Sequence, residues 1–198
     1  MAGDLRERLL AAFRWVDLGP AEAYEVSDAS GWWRDGGLLA DLGPALAALF
    51  VPGPPAAPHP TAPHPTAPPT VVVGPETSGF LVGPLVARAL GIGFVEAYKG
   101  DRGHVADRML RRTTEPDYRG RVVTLSLRAR LIDPADRVLV VDDWVATGAQ
   151  LATLRDLVGD AGATYLGAAV VVDGCPPART AELGIRGLLS RGDLDAIG

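Results

Sequence analysis

Apolar residues fall into distinct patterns along the 198-residue chain. Leu38, Leu39, Leu42, Leu46 and Leu49 recur three and four apart, which predicts a helix over 37–50. Residues 4–14 also read as helical. Further along, the pattern alternates between short apolar runs and helical spacing. Thr70–Gly74 reads as a strand, Gly79–Leu90 as a helix stopped by Gly91, and Gly93–Ala97 as a second strand. Residues 99–120 are polar, Arg-rich and aperiodic, and predict a mobile loop. Arg121–Leu127 alternates as a strand does, and Arg137–Val141 is a buried strand. A helix from about Gly148 to Asp160 and a buried strand over Thr164–Val172 follow. Strands alternating with helices predict an α/β fold, a mainly parallel twisted sheet flanked by helices. In such sheets ligands bind beyond the carboxyl ends of the strands.

The two patterned regions are separated by a proline cluster. Nine of the 17 prolines lie between Pro52 and Pro69, in PGPPAAPHPTAPHPTAPP, where APHPT occurs twice. Proline fixes φ and lacks an amide donor, so this stretch reads as a semi-extended linker. The expected organisation is therefore an N-terminal helical hood over 1–51, a linker over 52–69, and an α/β core over 70–198. The linker is expected to be exposed, mobile and removable.

Composition narrows the function. Net charge is −5, which argues against a partner needing a broad basic face, such as nucleic acid. No apolar run reaches the roughly 18 residues of a membrane span. No secretory segment is expected either, since Asp4, Arg6, Glu7 and Arg8 precede Leu9 and Leu10. A single cysteine, Cys175, fits a reducing compartment, so a cytoplasmic protein is expected. The charge is unevenly spread. Lys99 to Arg137 holds ten basic and six acidic residues, net +4, which leaves −9 elsewhere. A local basic segment in an acidic chain suits a small polyanion.

The stretch richest in chemistry is Arg137 to Leu151, RVLVVDDWVATGAQL. Asp142 and Asp143 follow the apolar Val138–Val141, and Thr147 and Gly148 form a turn into a helix. Two adjacent carboxylates can accept hydrogen bonds from vicinal hydroxyls. Free amides at a helix N-terminus, approached through glycine, suit a phosphate. Together they describe a site for a ribose 5-phosphate.

This order resembles the phosphoribosyl-diphosphate motif of type I phosphoribosyltransferases, where two acids follow an apolar strand and precede a Thr-Gly-Gly-Thr type loop. Other segments resemble the adenine phosphoribosyltransferase branch. They are Gly74-Pro75-Glu76-Thr77-Ser78-Gly79-Phe80, the Trp33-Arg34-Asp35 run followed by Leu38, Leu39 and Asp41, and the strand exit Tyr98-Lys99-Gly100. The resemblance spans about Gly31 to Ser190, interrupted by the proline tract.

The resemblance implies the type I phosphoribosyltransferase fold and a pentosyltransferase of nucleotide metabolism and purine salvage. It would carry the phosphoribosyl group of phosphoribosyl diphosphate to a nucleobase, a purine such as adenine. Asp142 and Asp143 would hold the ribose hydroxyls, partly through Mg²⁺. Ala146, Thr147, Gly148, Ala149 and Gln150 would wrap the 5-phosphate. Glu76, Thr77, Ser78 and Gly79 would present amides to pyrophosphate, and Lys99 and Arg102 would neutralise it. The 100–120 loop would close over the site, with Asp117 and Tyr118 as candidates for acid–base work. Arg34, with Trp32 and Trp33, would belong to the hood over the base. A homodimer is the implied assembly.

Three features depart from the family pattern. Ala149 and Gln150 replace the second Gly and the closing Thr of the phosphate loop, Ser78 stands where the branch carries Arg, and the base-binding region differs enough to leave the base open. A non-catalytic regulatory protein that binds phosphoribosyl diphosphate or a nucleotide is the alternative these departures keep open.

Overall fold

The computed structural model describes residues 4–17, 19, 26–51, 67–100, 108–116 and 120–197. Residues 52–66 of the linker expected over 52–69, and the candidates Arg102, Asp117 and Tyr118, lie outside the described residues. At the linker's end Pro69 is buried and the Pro68 carbonyl accepts from Arg137 Nε at 2.6 Å, so this end packs on the core instead of lying wholly exposed. The N-terminal part holds α1 (Leu5–Ala11), a two-stranded antiparallel pair of β1 (Arg14–Val16) and β2 (Val26–Asp28), then α2 (Ser30–Arg34) and α3 (Gly36–Ala48). The expected helix over 4–14 therefore ends early, because Arg14 already pairs with Asp28 across β1 and β2. Three-residue strands are too short to show an alternation in sequence.

The second part contributes β3 (Val71–Pro75), α4 (Gly79–Leu90), β4 (Gly93–Lys99), β5 (Met109–Thr113) and β6 (Thr124–Arg128). It continues with β7 (Arg137–Val145), α5 (Ala149–Asp160), β8 (Thr164–Asp173), α6 (Pro177–Leu183), β9 (Ile185–Ser190) and α7 (Arg191–Asp195). The seven strands are ordered β5-β6-β4-β3-β7-β8-β9. β4, β3, β7, β8 and β9 run parallel, while β5 and β6 are antiparallel additions at one edge.

The loop expected over 99–120 thus contains a strand. β5 pairs with β6 from Met109↔Arg128 to Thr113↔Thr124. Its last three residues, Arg111, Arg112 and Thr113, are exposed, so an edge strand with charged residues shows no apolar alternation. β6 also starts three residues later than the alternation from Arg121 suggests.

Alternation along the central strands builds two cores, one on each face. Val72 of β3, Leu139 and Val141 of β7, and Ala169 and Val171 of β8 face α3, α4 and the N-terminal elements. Val71, Val73, Val138, Val140, Ala168 and Val170 face Leu151, Leu154, Leu157 and Val158 of α5. Burying the valine and leucine side chains among these stabilises by about 1.5–3 kcal/mol each before entropy is counted. The hood is part of this packing. α3 lies against α4, where a Cβ on Gly43 would stand 2.5 Å from the Leu85 carbonyl oxygen. Trp32 is fully buried and donates its indole N–H to the Leu9 carbonyl at 2.8 Å. It belongs to the hood as expected, but as a core residue whose ring is closed off from the surface. No helix among the described residues is long and apolar enough to cross a membrane.

Candidate functional site

Each parallel strand delivers its candidate residues to the same end of the sheet. β3 exits into Glu76–Ser78 before α4, β4 ends at Lys99, and β7 carries Asp142 and Asp143. The loop Ala146–Gly148 joins β7 to α5. β7 continues four residues past Val141, so the two acids sit inside its last turn of pairing, with Asp142 beside Val170 of β8. The ladder is parallel and its β8 partners Val170 and Val172 are buried, so β-pairing persists through polar residues that sequence periodicity reads as a turn.

The acid pair is closely coupled. The Asp143 amide donates to Asp142 Oδ1 at 2.9 Å. Asp142 keeps partial exposure, yet the protein around its carboxyl pushes it well above the ordinary carboxylate range. Burial is the main cause and the Asp143 charge adds to it, while the Asp143 amide and the Lys99 charge oppose. Lys99 is therefore in electrostatic reach of the acids. Its own amide donates to Glu76 Oε2 at 3.0 Å, and the Glu76 amide donates to the Ala97 carbonyl at 2.8 Å. These two bonds fix the loop after β3 against the end of β4. The Glu76–Thr77 peptide is cis.

The turn into α5 is made by Gly148 with φ of +77°. A Cβ there would come within 2.8 Å of Leu183 Cδ1 and 3.2 Å of the Arg179 side chain, so glycine is needed for both backbone and space. Thr147 Oγ1 accepts the Ala149 amide at 3.3 Å. Ala149 is buried, and Gln150 Oε1 is buried without a hydrogen-bond partner among the described residues.

A cavity of about 190 Å³ lies between Asp142 and the Gly148 turn. Asp142, Trp144 and the Ala146–Gln150 segment line it, and Thr114, Arg121 and Val123 from the β5–β6 connection roof it. That roof is pinned by mutual bonds. The Thr114 amide donates to the Val123 carbonyl at 2.8 Å and the Val123 amide to Thr114 Oγ1 at 3.0 Å. Glu76–Gly79 and Lys99 stand at neighbouring strand ends outside the lining, and Arg34 is exposed on α2, also outside it. Sequence reasoning thus anticipated the floor of the cavity and missed Thr114, Arg121 and Trp144. Arg121 was visible only as one member of a basic segment, and Trp144 only as the residue after the acid pair.

A parallel sheet with an acid pair on its central strand and an adjoining glycine turn into a helix defines a class. The sequence pattern of the phosphoribosyl transferase domain matches residues 66–182, and the chain belongs to that family. Among named relatives, the adenine phosphoribosyltransferase of Acidovorax sp. (strain JS42) is 36% identical over 105 residues, 53% of this chain and 55% of its own length. That of Desulfitobacterium hafniense (strain Y51) is 37% identical over 105 residues, 53% of this chain and 58% of its own. The chain thus spans little more than half the length of these relatives. Over most of its length it is similar to the adenine phosphoribosyltransferase structure from Rhodothermus marinus, with TM-score 0.72, 27% identity, and coverage of 94% of this chain and 98% of that one. The enzyme from Trypanosoma brucei, solved with AMP, pyrophosphate and ribose-5-phosphate, shares the fold, with TM-score 0.77, 19% identity, and 96% and 81% coverage.

Proposed function

We propose that this protein transfers the 5-phosphoribosyl group of phosphoribosyl diphosphate to a purine, adenine first among them, and releases pyrophosphate. The observation that carries this reading is one cavity shared by Asp142 and the Gly148 turn into α5. Relatives named adenine phosphoribosyltransferase support the choice of base.

In this reaction the bond from C1 of the sugar to the pyrophosphate oxygen breaks and a bond from C1 to a ring nitrogen of the base forms. The ring nitrogen's proton leaves to solvent or a nearby base. Asp142 and Asp143 accept from the ribose hydroxyls and orient C1. Amides of the Ala146–Gln150 segment hold the 5-phosphate, aided by the Arg121 charge overhead. Backbone amides of Thr77, Ser78 and Gly79 face the departing pyrophosphate, with Lys99 neutralising it, while the Glu76 amide expected beside them is already taken by the Ala97 carbonyl. Transition-state stabilisation is then mostly positioning and fixed charge.

The acid pair also fits Mg²⁺. Two adjacent carboxylates, one of them pushed up by burial and its neighbour's charge, are a site that a cation relieves. No group of three or more metal-ligating side chains occurs among the described residues, which suits a cation sharing its shell with substrate oxygens and water rather than a protein cage. When bound, Mg²⁺ supplies charge neutralisation of the pyrophosphate leaving group. Asp142 and Asp143 would hold it, directly or through hydroxyls and water. The same reading makes the protein a cytoplasmic homodimer of purine salvage, and sedimentation at a two-chain mass checks the assembly.

Pyrophosphate release, measured with Mg²⁺ across a panel of purines and pyrimidines, tests the proposal. Turnover with adenine is expected, and the double variant Asp142→Asn/Asp143→Asn should lose about 10²-fold or more in kcat/KM. Tight binding of phosphoribosyl diphosphate without release for any base would instead establish a regulatory binder.

A further inference from the structure

Helix α6 has no part in the roles above, yet it lies against the Gly148 turn. With seven residues it is too short to hold itself by propensity, so its anchors matter. Leu183 is fully buried. Thr180 Oγ1 donates to Asp173 Oδ2 at 2.8 Å, and Asp173 Oδ1 accepts the Cys175 amide at 2.9 Å, which ties the helix to the end of β8. On this anchored helix the Arg179 side chain is only 22% exposed. A Cβ on Gly148 would stand 3.2 Å from its Cγ and Nε, so the arginine stem packs against the turn. Its Nη1 donates to Glu182 Oε2 at 2.8 Å and its Nη2 to Glu115 Oε2 at 3.4 Å. Glu115 directly follows Thr114, which is buried and roofs the cavity. Arg179 thus stands outside the cavity lining and still touches both the turn and the segment that forms the roof.

This pair is one link in a longer chain of charges. The other oxygen of Glu182 accepts from Arg155 Nη1 at 3.2 Å, and Arg155 Nε donates to Asp156 Oδ1 at 3.4 Å. Asp156 lies 3.9 Å from Arg112 Nη1, and Arg112 donates to both oxygens of Asp160, at 2.6 and 2.8 Å. Arg112 and Glu115 are three residues apart on one segment. The chain of charges therefore leaves β5, crosses α5 and α6, and returns to the segment it left. The bonds from Arg179 and Arg155 hold the Glu182 carboxyl below its ordinary range, so the central acid stays charged. A single exposed pair contributes little, and a network of several charges contributes more.

We propose that Arg179 is a positioning residue for the transfer: through Glu115 it holds the β5–β6 roof down on the Gly148 turn, so that Thr114 and Arg121 stand over the bound 5-phosphate. The proposal rests on the transfer reading and adds how the roof of that site is fastened. Arg112 fastens the same segment to the far end of α5, so the roof is tied on both sides of Thr114. Arg179 also braces the turn with its stem, so one side chain sets the spacing between the floor and the roof of the phosphate end. Loss of the link lets the roof lift, and the effect falls on phosphoribosyl diphosphate rather than on the base.

Glu115→Gln is the first test, because a side chain that is 76% exposed can lose its charge at little cost to the fold. The KM for phosphoribosyl diphosphate should rise about 2- to 5-fold, with base KM within about 2-fold of wild type. Arg179→Gln should raise the same KM at least as much, and Arg179→Lys, which keeps the charge, should recover part of the loss. The double variant Glu115→Gln/Arg179→Gln should be no worse than Arg179→Gln alone. Single effects that multiply show two residues acting separately and overturn the proposal, as does an unchanged KM for phosphoribosyl diphosphate in Glu115→Gln. A second readout needs no turnover. Hydrogen exchange in Glu115→Gln should quicken at the Thr114 and Val123 amides, which are bonded across the roof, while β7 and α5 keep wild-type rates. In 1 M salt the wild-type roof should approach the exchange rates of the variant. Unchanged exchange at Thr114 and Val123 overturns the proposal, and so does equal acceleration in β7 and α5, which marks a general loss of stability. If wild type releases no pyrophosphate with any base, the transfer reading has failed, and exchange alone decides whether Arg179 fastens the roof. Should Arg179→Gln fold poorly, the kinetics and exchange of Glu115→Gln decide it.

Discussion

Gly148 shows how one residue sets a site. Its φ of +77° is a left-handed conformation that costs an L side chain about 1–2 kcal/mol, and a Cβ would meet Leu183 and Arg179. Gly148→Ala should therefore lower Tm by several degrees and raise the KM for phosphoribosyl diphosphate, with base KM unchanged. Thermal unfolding and steady-state kinetics check both halves. Two positions further on, Gln150 leaves a buried carbonyl oxygen without a partner among the described residues. An acceptor of this kind costs about 1–3 kcal/mol and repels a phosphate. Gln150→Thr should raise Tm slightly and lower the KM for phosphoribosyl diphosphate. A rise in that KM would show that the amide end of Gln150 turns toward the phosphate. The residue letters at 148–150 were legible from the start. The orphaned oxygen was not, because it depends on what packs around α5.

At the scale of elements, the contact between α3 and α4 depends on Gly43. Gly43→Ala would place a Cβ 2.5 Å from the Leu85 carbonyl oxygen and 2.8 Å from its carbon. Backbone cannot yield as a side chain does, so the two helices must separate. A loss of about 1–3 kcal/mol follows, seen as a lower Tm. The C-terminal α7 makes a different prediction. Asp193 accepts from the Ser190 amide at 2.7 Å and from Arg6 at 2.6 Å, while the Asp193 amide donates to Ser190 Oγ at 3.3 Å. Burial alone would raise the Asp193 carboxyl, but the bonds from Arg6 and Ser190 outweigh it and hold the group below its ordinary range. A depressed carboxyl binds its proton more weakly in the folded state. Its stabilisation is present above the ordinary carboxylate range, about pH 4, and is lost as pH falls through the depressed value. Asp193→Asn should lower Tm at pH 7, by about 1 kcal/mol of stability, and the gap to wild type should narrow below pH 4.

For the whole molecule, the charge distribution predicts a salt effect. The chain is −5 overall but net +4 between Lys99 and Arg137. That segment supplies Lys99 near the acid pair and Arg121 in the cavity roof. Attraction of a highly charged sugar diphosphate should weaken as the Debye length falls from about 10 Å at 0.1 M to about 3 Å at 1 M. The KM for phosphoribosyl diphosphate should rise several-fold over that range, while the KM for an uncharged base stays nearly level. Equal responses of the two would show that the basic segment does not guide the ligand.

Local signals settled much of this protein by sequence alone. Val138–Val141 reads as a buried strand from its aliphatic run, α4 from its helical spacing with Gly91 as its stop, and the acids and glycine turn from their order after a strand. Each of these depends on neighbours within a few residues. Tertiary structure decided what depends on distant partners. β5 exists because β6 pairs with it, Trp32 is buried because Leu9 accepts its N–H, and Trp144 meets Phe13 and Trp15 across more than a hundred residues of chain. Periodicity reports which side of an element is apolar. It carries no information on which distant element that side will meet, and the hood end of the cavity is built from such meetings.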